Sequence, residues 1–369
     1  MEASNILFSI IVGYRNREIE RVKRSLDALS NQTFIDFELV FVDYGSDLSI
    51  AREVETLVNG YSFAKYIYSN TDGWFWNRAH ALNIGVRYAS GALLLFFDID
   101  LIIESNFLAK VNLLDFENNF YTFNCCYLPQ GIFGDPEKLI SQVNQFRQSY
   151  VGLCAVKKEY VENIKGFDEY YMVWGVEDDD FYKRLYSSGI TRIQLGAPHY
   201  YVFHQWHPVQ VKEPTSWLLT MTNRFFNGKL SGNSNDKWGS IVTHEERLIQ
   251  SSNLSQIITV ASPIYLNQRD TIRFIDFWTV FDKLKSGEAA YFSFTDGFIY
   301  TNNSKIKQKI RYMLLKYFFK GFNFNINQSN LFNAVSDFIE FFVGIQRTAF
   351  ADYYISKTGN SLRLVFIKT

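Results

Sequence analysis

Residues 6–12, Ile-Leu-Phe-Ser-Ile-Ile-Val, are almost unbroken apolar sequence, the pattern of a strand buried on both faces of a parallel sheet. A helix follows, with Ile19, Val22, Leu26 and Leu29 on one face. The same alternation recurs downstream. It predicts a strand over 37–42, a helix over 50–58, a strand over 64–68, a helix carrying Ala79, Leu82, Ile84 and Val86, and a strongly apolar strand over 92–97. Residues 105–147 give no clear period, and 150–156 read as another buried strand. Strands alternating with helices predict an α/β architecture with a mostly parallel central sheet. Polar loops at the carboxyl ends of such strands are where a ligand is expected.

Residues 228–240, Gly-Lys-Leu-Ser-Gly-Asn-Ser-Asn-Asp-Lys-Trp-Gly-Ser, have a linker's composition. They divide the chain into an α/β domain over 1–228 and an accessory unit over 241–369, expected to be a mixed or mainly helical extension. Within that unit Lys305, Lys309, Lys316 and Lys320 fall within about sixty degrees of a helical wheel. Such a helix either packs on its own domain or lies on anionic lipid, which makes 305–320 the place for a peripheral membrane contact.

Composition narrows the classes. The net charge of −1 removes the general electrostatic case for nucleic acid. Aromatic residues reach 18%, enough for thick aromatic packing and for exposed rings that stack on a base or a sugar. The three cysteines, two of them adjacent, form neither a disulfide framework nor a zinc motif. No signal-peptide pattern opens the chain, and its apolar runs are strand-length rather than membrane-length. A cytoplasmic protein is expected, at the inner face of the membrane if 305–320 binds there.

Three polar constellations carry chemistry. Glu177, Asp178, Asp179 and Asp180 follow Trp174-Gly175 and open a helical pattern in which Phe181 and Leu185 share a stripe. Acids in a first turn commonly cap free amides and meet the positive end of the helix dipole. That accounts for one or two carboxylates, whereas four in a row repel one another and raise each other's pKa. Asp98-Ile99-Asp100 ends the most apolar strand. In extended chain, residues i and i+2 project to one side, so both carboxylates are expected in one space as a hard oxygen site for Mg²⁺ or Mn²⁺. The plainer alternative is a strand ending in a polar turn. His204 and His207 are spaced to share one metal, or are ordinary structural histidines. Taken with the aspartates they make a mixed nitrogen and oxygen set that favours Mn²⁺ over Mg²⁺.

The ordered set Tyr-Arg-Asn-Arg (14–17), Trp-Asn-Arg-Ala-x-x-Leu-Asn-x-Gly (76–85), Phe-Asp-Ile-Asp-Leu (97–101), Gly-Phe-Asp (166–168), Trp-Gly-x-Glu-Asp-Asp-Asp (174–180) and His-x-x-His-Pro (204–208) resembles the GT-A-fold, inverting, metal-dependent glycosyltransferases. Within them it is most like the β-1,4-galactosyltransferase group and the bacterial sugar transferases of capsule and O-antigen synthesis. The resemblance covers roughly residues 5–212. It implies a GT-A fold and transfer of a hexose, galactose or N-acetylgalactosamine, from a UDP-sugar to a glycan or lipid-linked oligosaccharide, with Mn²⁺ or Mg²⁺ as cofactor.

Position by position, the resemblance implies that Arg15, Arg17, Asp43 and Arg78 contact the nucleotide and its diphosphate and that Trp76 lies near the uracil. Asp98 and Asp100 match the Asp-x-Asp pair, Asp100 as the direct metal ligand. His204 and His207 match a Met-x-x-His pair that completes the metal shell. Asp178 matches the catalytic base, and Trp174, Glu177 and Asp179 match acceptor-binding or base-orienting positions. Tyr150 and Gly152 fall in the sugar pocket, with the Tyr150 ring against C2. Three positions depart from the family pattern: Gly13 stands where Pro is usual, Leu153 where a second Gly is common, and Val176 where Gly is usual.

These residue types suit the chemistry. Inversion is an in-line displacement at the anomeric carbon, and the departing nucleoside diphosphate gains negative charge that a divalent ion and Arg side chains stabilise. A carboxylate must take the proton of the acceptor alcohol, and neighbouring acids hold such a base above the ordinary Asp value. A sugar-1-phosphate nucleotidyltransferase would need a Gly-rich phosphate loop after the first strand, which Gly-Tyr-Arg-Asn-Arg is not. A glycoside hydrolase would leave the Asp-x-Asp and Arg pairs unexplained, and a non-catalytic sugar-binding protein would have no need of Asp178.

Overall fold

The computed structural model describes residues 6–208, 215–227, 232–234, 236–264, 275–295, 331–359 and 361–369. The chain forms two compact units, and neither is a single stretch of sequence. The first comprises Met1–Thr71, Trp76–Val211 and Gly228–Val242; the second comprises Asp72–Phe75, Lys212–Asn227 and Thr243–Thr369.

In the first unit, strands β1 (Phe8–Tyr14), β2 (Phe37–Tyr44), β3 (Ala64–Ser69), β4 (Leu93–Phe96), β5 (Leu101–Ile103), β6 (Asn119–Tyr127), β7 (Arg147–Lys157), β8 (Thr191–Leu195) and β9 (Val202–His204) build one sheet. Its order is β3-β2-β1-β4-β7-β6-β9-β5, with β8 beside β6. Five of the eight strand pairings are parallel. Helices α1 (Ile19–Ser30), α2 (Leu48–Val58), α3 (Arg78–Tyr88), α4 (Phe107–Val111), α5 (Pro136–Ile140), α6 (Lys158–Asn163) and α7 (Glu177–Ser187) connect the strands. This is the mostly parallel α/β sheet that the alternating pattern predicts. The apolar runs become β1 and β4 because both faces of each strand are covered: Ile10 and Val12 pack in one buried cluster with Val22, Leu26 and Leu29 of α1, and Ile11 packs in another with Ala81, Leu82 and Ile84 of α3.

Two expectations change. The strand before the Asp pair ends at Phe96, and the chain then turns, closed by Leu101 N–H donating to Asp98 C=O at 3.1 Å. The i, i+2 rule for extended chain therefore does not apply, and Asp98 and Asp100 face different partners. The stretch 228–240 is no free tether over its described part. Trp238 is 5% exposed and packs under the Arg87 guanidinium, and the Asn233 amide donates to the carbonyls of Lys165 and Phe167. Composition registers the Gly, Asn and Ser of a linker but not the anchoring by one Trp and one Asn. The lysine stripe at 305–320 lies outside the described residues. Among the described residues no helix is long and apolar enough to cross a membrane.

The second unit is mixed. Strands β10 (Ser262–Ile264), β11 (Ala289–Thr295), β12 (Phe350–Thr358) and β13 (Ser361–Lys368) form a sheet in the order β10-β11-β13-β12. Helices α8 (Ser216–Phe226), α9 (Leu254–Val260), α10 (Ile275–Lys283) and α11 (Leu331–Gln346) accompany it. Its core is aromatic. Phe342 of α11 lies within 5.4–6.1 Å, centroid to centroid, of Phe277, Phe281, Phe350 and Phe366, so much of the unusual phenylalanine content fills an interior.

Several motif residues serve the fold of the first unit. Asn77 caps α3 by accepting from His80 N–H at 2.9 Å, and its amide donates to Glu169 C=O. The fully buried Asn83 accepts from Phe167 N–H and donates to Phe167 C=O and to Glu169, tying α3 to the Gly166-Phe167-Asp168 turn. Asn83→Ala leaves the Phe167 N–H unpaired, while the Phe167 C=O keeps its bond from Asn233, so chemical denaturation should show a loss of about 2 kcal/mol. A loss below about 0.5 kcal/mol, the range of an ordinary surface substitution, would contradict this account of the motif.

Candidate active site

Long-range strand registers assemble the site. Antiparallel pairing of β4 with β7 sets Phe96 against Cys154, and the same register carried two residues further brings Asp98 opposite Gly152. Antiparallel pairing of β5 with β9 sets Leu101 against His204, which brings Asp100, the residue just before β5, beside the two histidines. Arg78 is the first residue of α3, and Glu177 and Asp178 are the first two of α7.

One cluster centres on Arg78. Its Nε and Nη2 donate to Asp98 Oδ1 at 3.1 and 2.9 Å, and its Nη1 donates to Asp178 Oδ1 at 2.8 Å. Glu177 Oε1 lies 4.0 Å from Nη1. The backbone of Gly152 forms the floor. A methyl group there would sit 2.7 Å from Arg78 Nη2 and 2.9 Å from Asp178 Oδ2, so a larger residue would push the ends of both side chains out of their present positions. Burial works against the Arg78 charge, but Asp178, Asp98 and Glu177 keep it protonated. Burial also pushes the Asp178 carboxyl up to about 7, with Glu177 and Asp98 adding to the rise and Arg78 opposing it. Glu177 is raised as well, again mainly by burial. The raised pKa expected from the acidic run is present, but loss of water is its larger cause.

A second cluster lies two residues along the chain from Asp98, a span of at most about 7 Å. Asp100, His204 and His207 offer one carboxylate oxygen and two ring nitrogens, all within 4.8 Å of one another. Asp100 Oδ2 is 3.7 Å from His204 Nε2 and 3.4 Å from His207 Nε2. Asp100 Oδ1 is buried with no hydrogen-bond partner. A buried orphan oxygen is costly, and a divalent cation would satisfy it, so the donor set fits a metal. Burial pushes the Asp100 carboxyl up, but the His207 bond and the surrounding cations leave it below its ordinary value. Its hydrogen bond in turn raises the His207 imidazole.

The remaining expected residues distribute around these clusters. Asp43 is 0% exposed and accepts from Ser46 N–H and Tyr66 OH, and burial pushes its carboxyl up. Arg15 follows β1, directly beside the end of β2, and donates to Thr71 C=O at 3.3 Å, whereas Arg17 is exposed. The Trp76 ring meets Tyr44 edge-on at 5.7 Å. Trp174 is 69% exposed and Asp179 is exposed. Tyr150 lies in β7, and its side chain is outside the described part of the structure. Asp180, the last acid of the run, is structural: it is buried, bonded to Arg184 at 2.7 Å and to Tyr171 at 3.2 Å. The three cysteines are buried and unbridged, and burial pushes the Cys125 thiol up to about 12, so they offer no nucleophile.

Two features are absent from the sequence reading. Gln205, between the histidines, gives its N–H to Asp100 C=O and its amide to Arg21 C=O and Ser25 Oγ, fixing the segment that carries both imidazoles. Val173 and Val176 both have φ of +74° around Gly175 at +99°. That region is strained for a β-branched side chain, which accounts for the glycine usual at position 176.

Comparison with known proteins gives two family matches. Residues 9–129 match the family model described as Glycosyl transferase family 2, and residues 141–207 match the one described as N-terminal domain of galactosyltransferase. The first match contains Arg78, Asp98 and Asp100; the second contains Gly152, Glu177, Asp178, His204 and His207. The chain is similar to β-1,4-galactosyltransferase 1 of Bos taurus, 29% identical over 126 residues, 34% of this chain and 29% of that protein. It is also similar to β-1,4-galactosyltransferase 5 of Mus musculus, 24% identical over 189 residues, 50% of this chain and 45% of that protein. The chain thus matches less than half the length of these relatives. A crystal structure of S. aureus TarS 1–349 in complex with UDP-GlcNAc superposes with a TM-score of 0.48 at 16% identity, covering 62% of this chain and 68% of that one. The two family models and the galactosyltransferase relatives fit a GT-A-fold inverting glycosyltransferase.

The Asp178 carboxyl should titrate near 7, ionised above and protonated below. Infrared difference spectra of wild type against Asp178→Asn across pH 4–9 would show the carboxylate band lost as pH falls through about 7. A midpoint near the ordinary Asp value of about 4 would mean that the site is wetter than its geometry implies.

Proposed function

We propose that this chain is a metal-dependent inverting glycosyltransferase. It moves a hexose from a UDP-sugar to a hydroxyl of a glycan or lipid-linked oligosaccharide, in the synthesis of a bacterial surface polysaccharide such as a capsule, at the cytoplasmic face of the membrane. The observation that carries this reading is the pairing of Arg78 with both Asp98 and Asp178 over the bare backbone of Gly152, next in the chain to the Asp100–His204–His207 cluster.

Asp100, His207 and His204 would hold Mn²⁺ or Mg²⁺, which when bound supplies positive charge to the departing diphosphate. The protein's own groups do the rest. Arg15, Arg17 and Arg78 neutralise phosphate oxygens, Asp43 and Trp76 bind the nucleoside, and Asp98 orients Arg78. Asp178 takes the proton of the acceptor hydroxyl as that oxygen attacks the anomeric carbon, an effect typically of 10²–10⁴-fold. Glu177 keeps the base oriented, and exposed Trp174 and Asp179 meet the acceptor. Entry of an anionic donor gives Arg78 new partners, which frees Asp178 Oδ1 for the hydroxyl. Tyr150 matches the family position that lies against C2, where a phenol ring leaves little space for an N-acetyl group, so the donor is UDP-galactose before UDP-N-acetylgalactosamine. The residues from 243 onward do no chemistry and serve acceptor or membrane placement.

Asp178→Asn is expected to lower transfer at least 10²-fold while UDP affinity, measured by titration calorimetry, stays within about threefold. Parallel loss of both would assign Asp178 to donor binding or to the fold. Asp100→Ala and His207→Ala should each abolish Mn²⁺-dependent UDP binding without changing the melting temperature by more than a few degrees, with His204→Ala weaker in effect. Full activity in EDTA would eliminate the metal centre. Tyr150→Leu should shift the kcat/KM ratio toward the N-acetylated donor by about tenfold, the scale of a pocket-size change. A wild-type enzyme that already prefers that donor would remove Tyr150 as the selector.

A further inference from the structure

The Asp100–His204–His207 cluster has a cation for a neighbour within its own unit. Arg21 lies in the first turn of α1, and that helix is fixed to the residues of the cluster. Ser25 Oγ lies 2.6 Å from the carbonyls of Ile99 and Leu101, on either side of Asp100. Gln205, between the two histidines, donates its amide to Arg21 C=O at 3.0 Å and accepts from Arg24 Nε at 2.6 Å. The Arg21 backbone is therefore one hydrogen bond away from the segment that carries both imidazoles. The Arg21 side chain is 10% exposed. Its Nη2 donates at 3.3 Å to Glu18, a carboxylate 62% exposed, and its Nε is buried with no hydrogen-bond partner among the described residues. A pair with so exposed a partner is weak and screened, so the guanidinium charge stays largely uncompensated and its field reaches the cluster. Burial pushes the Asp100 carboxyl up and, after the two histidines, the Arg21 charge helps bring it down. The Asp100 bond raises the His207 imidazole, and the Arg21 charge opposes that rise.

Asp98, the other acid of the pair, is engaged by Arg78 at 2.9 Å. Neither aspartate thus offers a divalent cation its full charge. The carboxylate of Asp100 is balanced by the Arg21 guanidinium, and neutral imidazoles add nothing to that balance. Two buried atoms nevertheless lack partners, and they call for opposite ligands: Asp100 Oδ1 for a cation and Arg21 Nε for an anion. A divalent metal bound to a diphosphate supplies both. We propose that Arg21 sets the charge of the metal cluster: it weakens the hold on a bare divalent cation and attracts the diphosphate that comes with one, so the site selects the metal–nucleotide pair over the free metal. This inference rests on the metal-centre reading of Asp100, His204 and His207.

The test measures two affinities in the full-length protein at about pH 8, above the ordinary imidazole value. One is for Mn²⁺ without nucleotide, read by EPR of the free ion; the other is for UDP with saturating Mn²⁺, read by titration calorimetry. Arg21→Met and Arg21→Gln keep the backbone acceptor for Gln205 and remove the charge. Each should bind Mn²⁺ about tenfold more tightly and UDP about tenfold more weakly than wild type, the scale of one charge acting through a partly screened gap. Arg21→Lys retains the charge and should stay within about threefold of wild type in both. Lys23→Met removes a charge from the same helix at a side chain 49% exposed and should change neither. A purely structural role for Arg21 would weaken both ligands together, and that result, or an unchanged Mn²⁺ affinity, would overturn the inference. So would a Lys23→Met variant with the same opposed shifts, because any charge in the region would then serve. If neither wild type nor the Arg21 variants bind Mn²⁺, with or without UDP, the metal-centre reading falls and the role of Arg21 falls with it. A wild type that binds Mn²⁺ beside unchanged Arg21→Met and Arg21→Gln leaves that reading standing and removes Arg21 from it.

Discussion

The candidate site of the first unit depends on one half-buried cation held between carboxylates from distant parts of the chain. Arg78 joins the start of α3 to the loop after β4 and to the start of α7, over the backbone of Gly152, where a side chain would crowd both Arg78 and Asp178. Partly burying a guanidinium is tolerable because three acids surround it, and partly burying those acids is tolerable because of the guanidinium. The arrangement pushes the Asp178 carboxyl up to about 7. A wetter site would return Asp178 to an ordinary carboxylate, and an uncompensated one would break the fold around it.

Local features of the site were legible in the sequence. The acidic run does start a helix, with Phe181 and Leu185 buried beneath it, because capping and periodicity act within a few residues. The histidine pair was visible as a spacing. What brought it to Asp100 was the β5–β9 register, and the β4–β7 register likewise brought Gly152 under Arg78. Such pairings are set by competition among all the strands, so no window of sequence contains them. The divergence of Asp98 and Asp100 was hidden for a different reason: a two-residue alternation holds only while the strand lasts, and β4 stops at Phe96. The run of four acids also looked uniform, yet Asp180 answers to Arg184 and only Glu177 and Asp178 approach Arg78.

Fold and function separate here as they often do. Residues such as Asn77, Asn83 and Gly166 belong to the same sequence motifs as Arg78 and Asp168, but their work is to join α3 to the following turn. The second unit shows the converse: its aromatic core explains its composition, while its buried Arg247–Asp352 pair grips a segment that reads in sequence as part of the first unit.

Direct displacement at the anomeric carbon by an acceptor activated at Asp178, the proposed reaction, inverts the configuration of the sugar. Proton NMR of the sugar formed from UDP-α-galactose with Mn²⁺, with water or a simple alcohol as acceptor, reads that configuration before mutarotation sets in. The β-anomer should appear first, together with UDP. An initial α-anomer, or a donor that stays intact whatever acceptor is supplied, would contradict it.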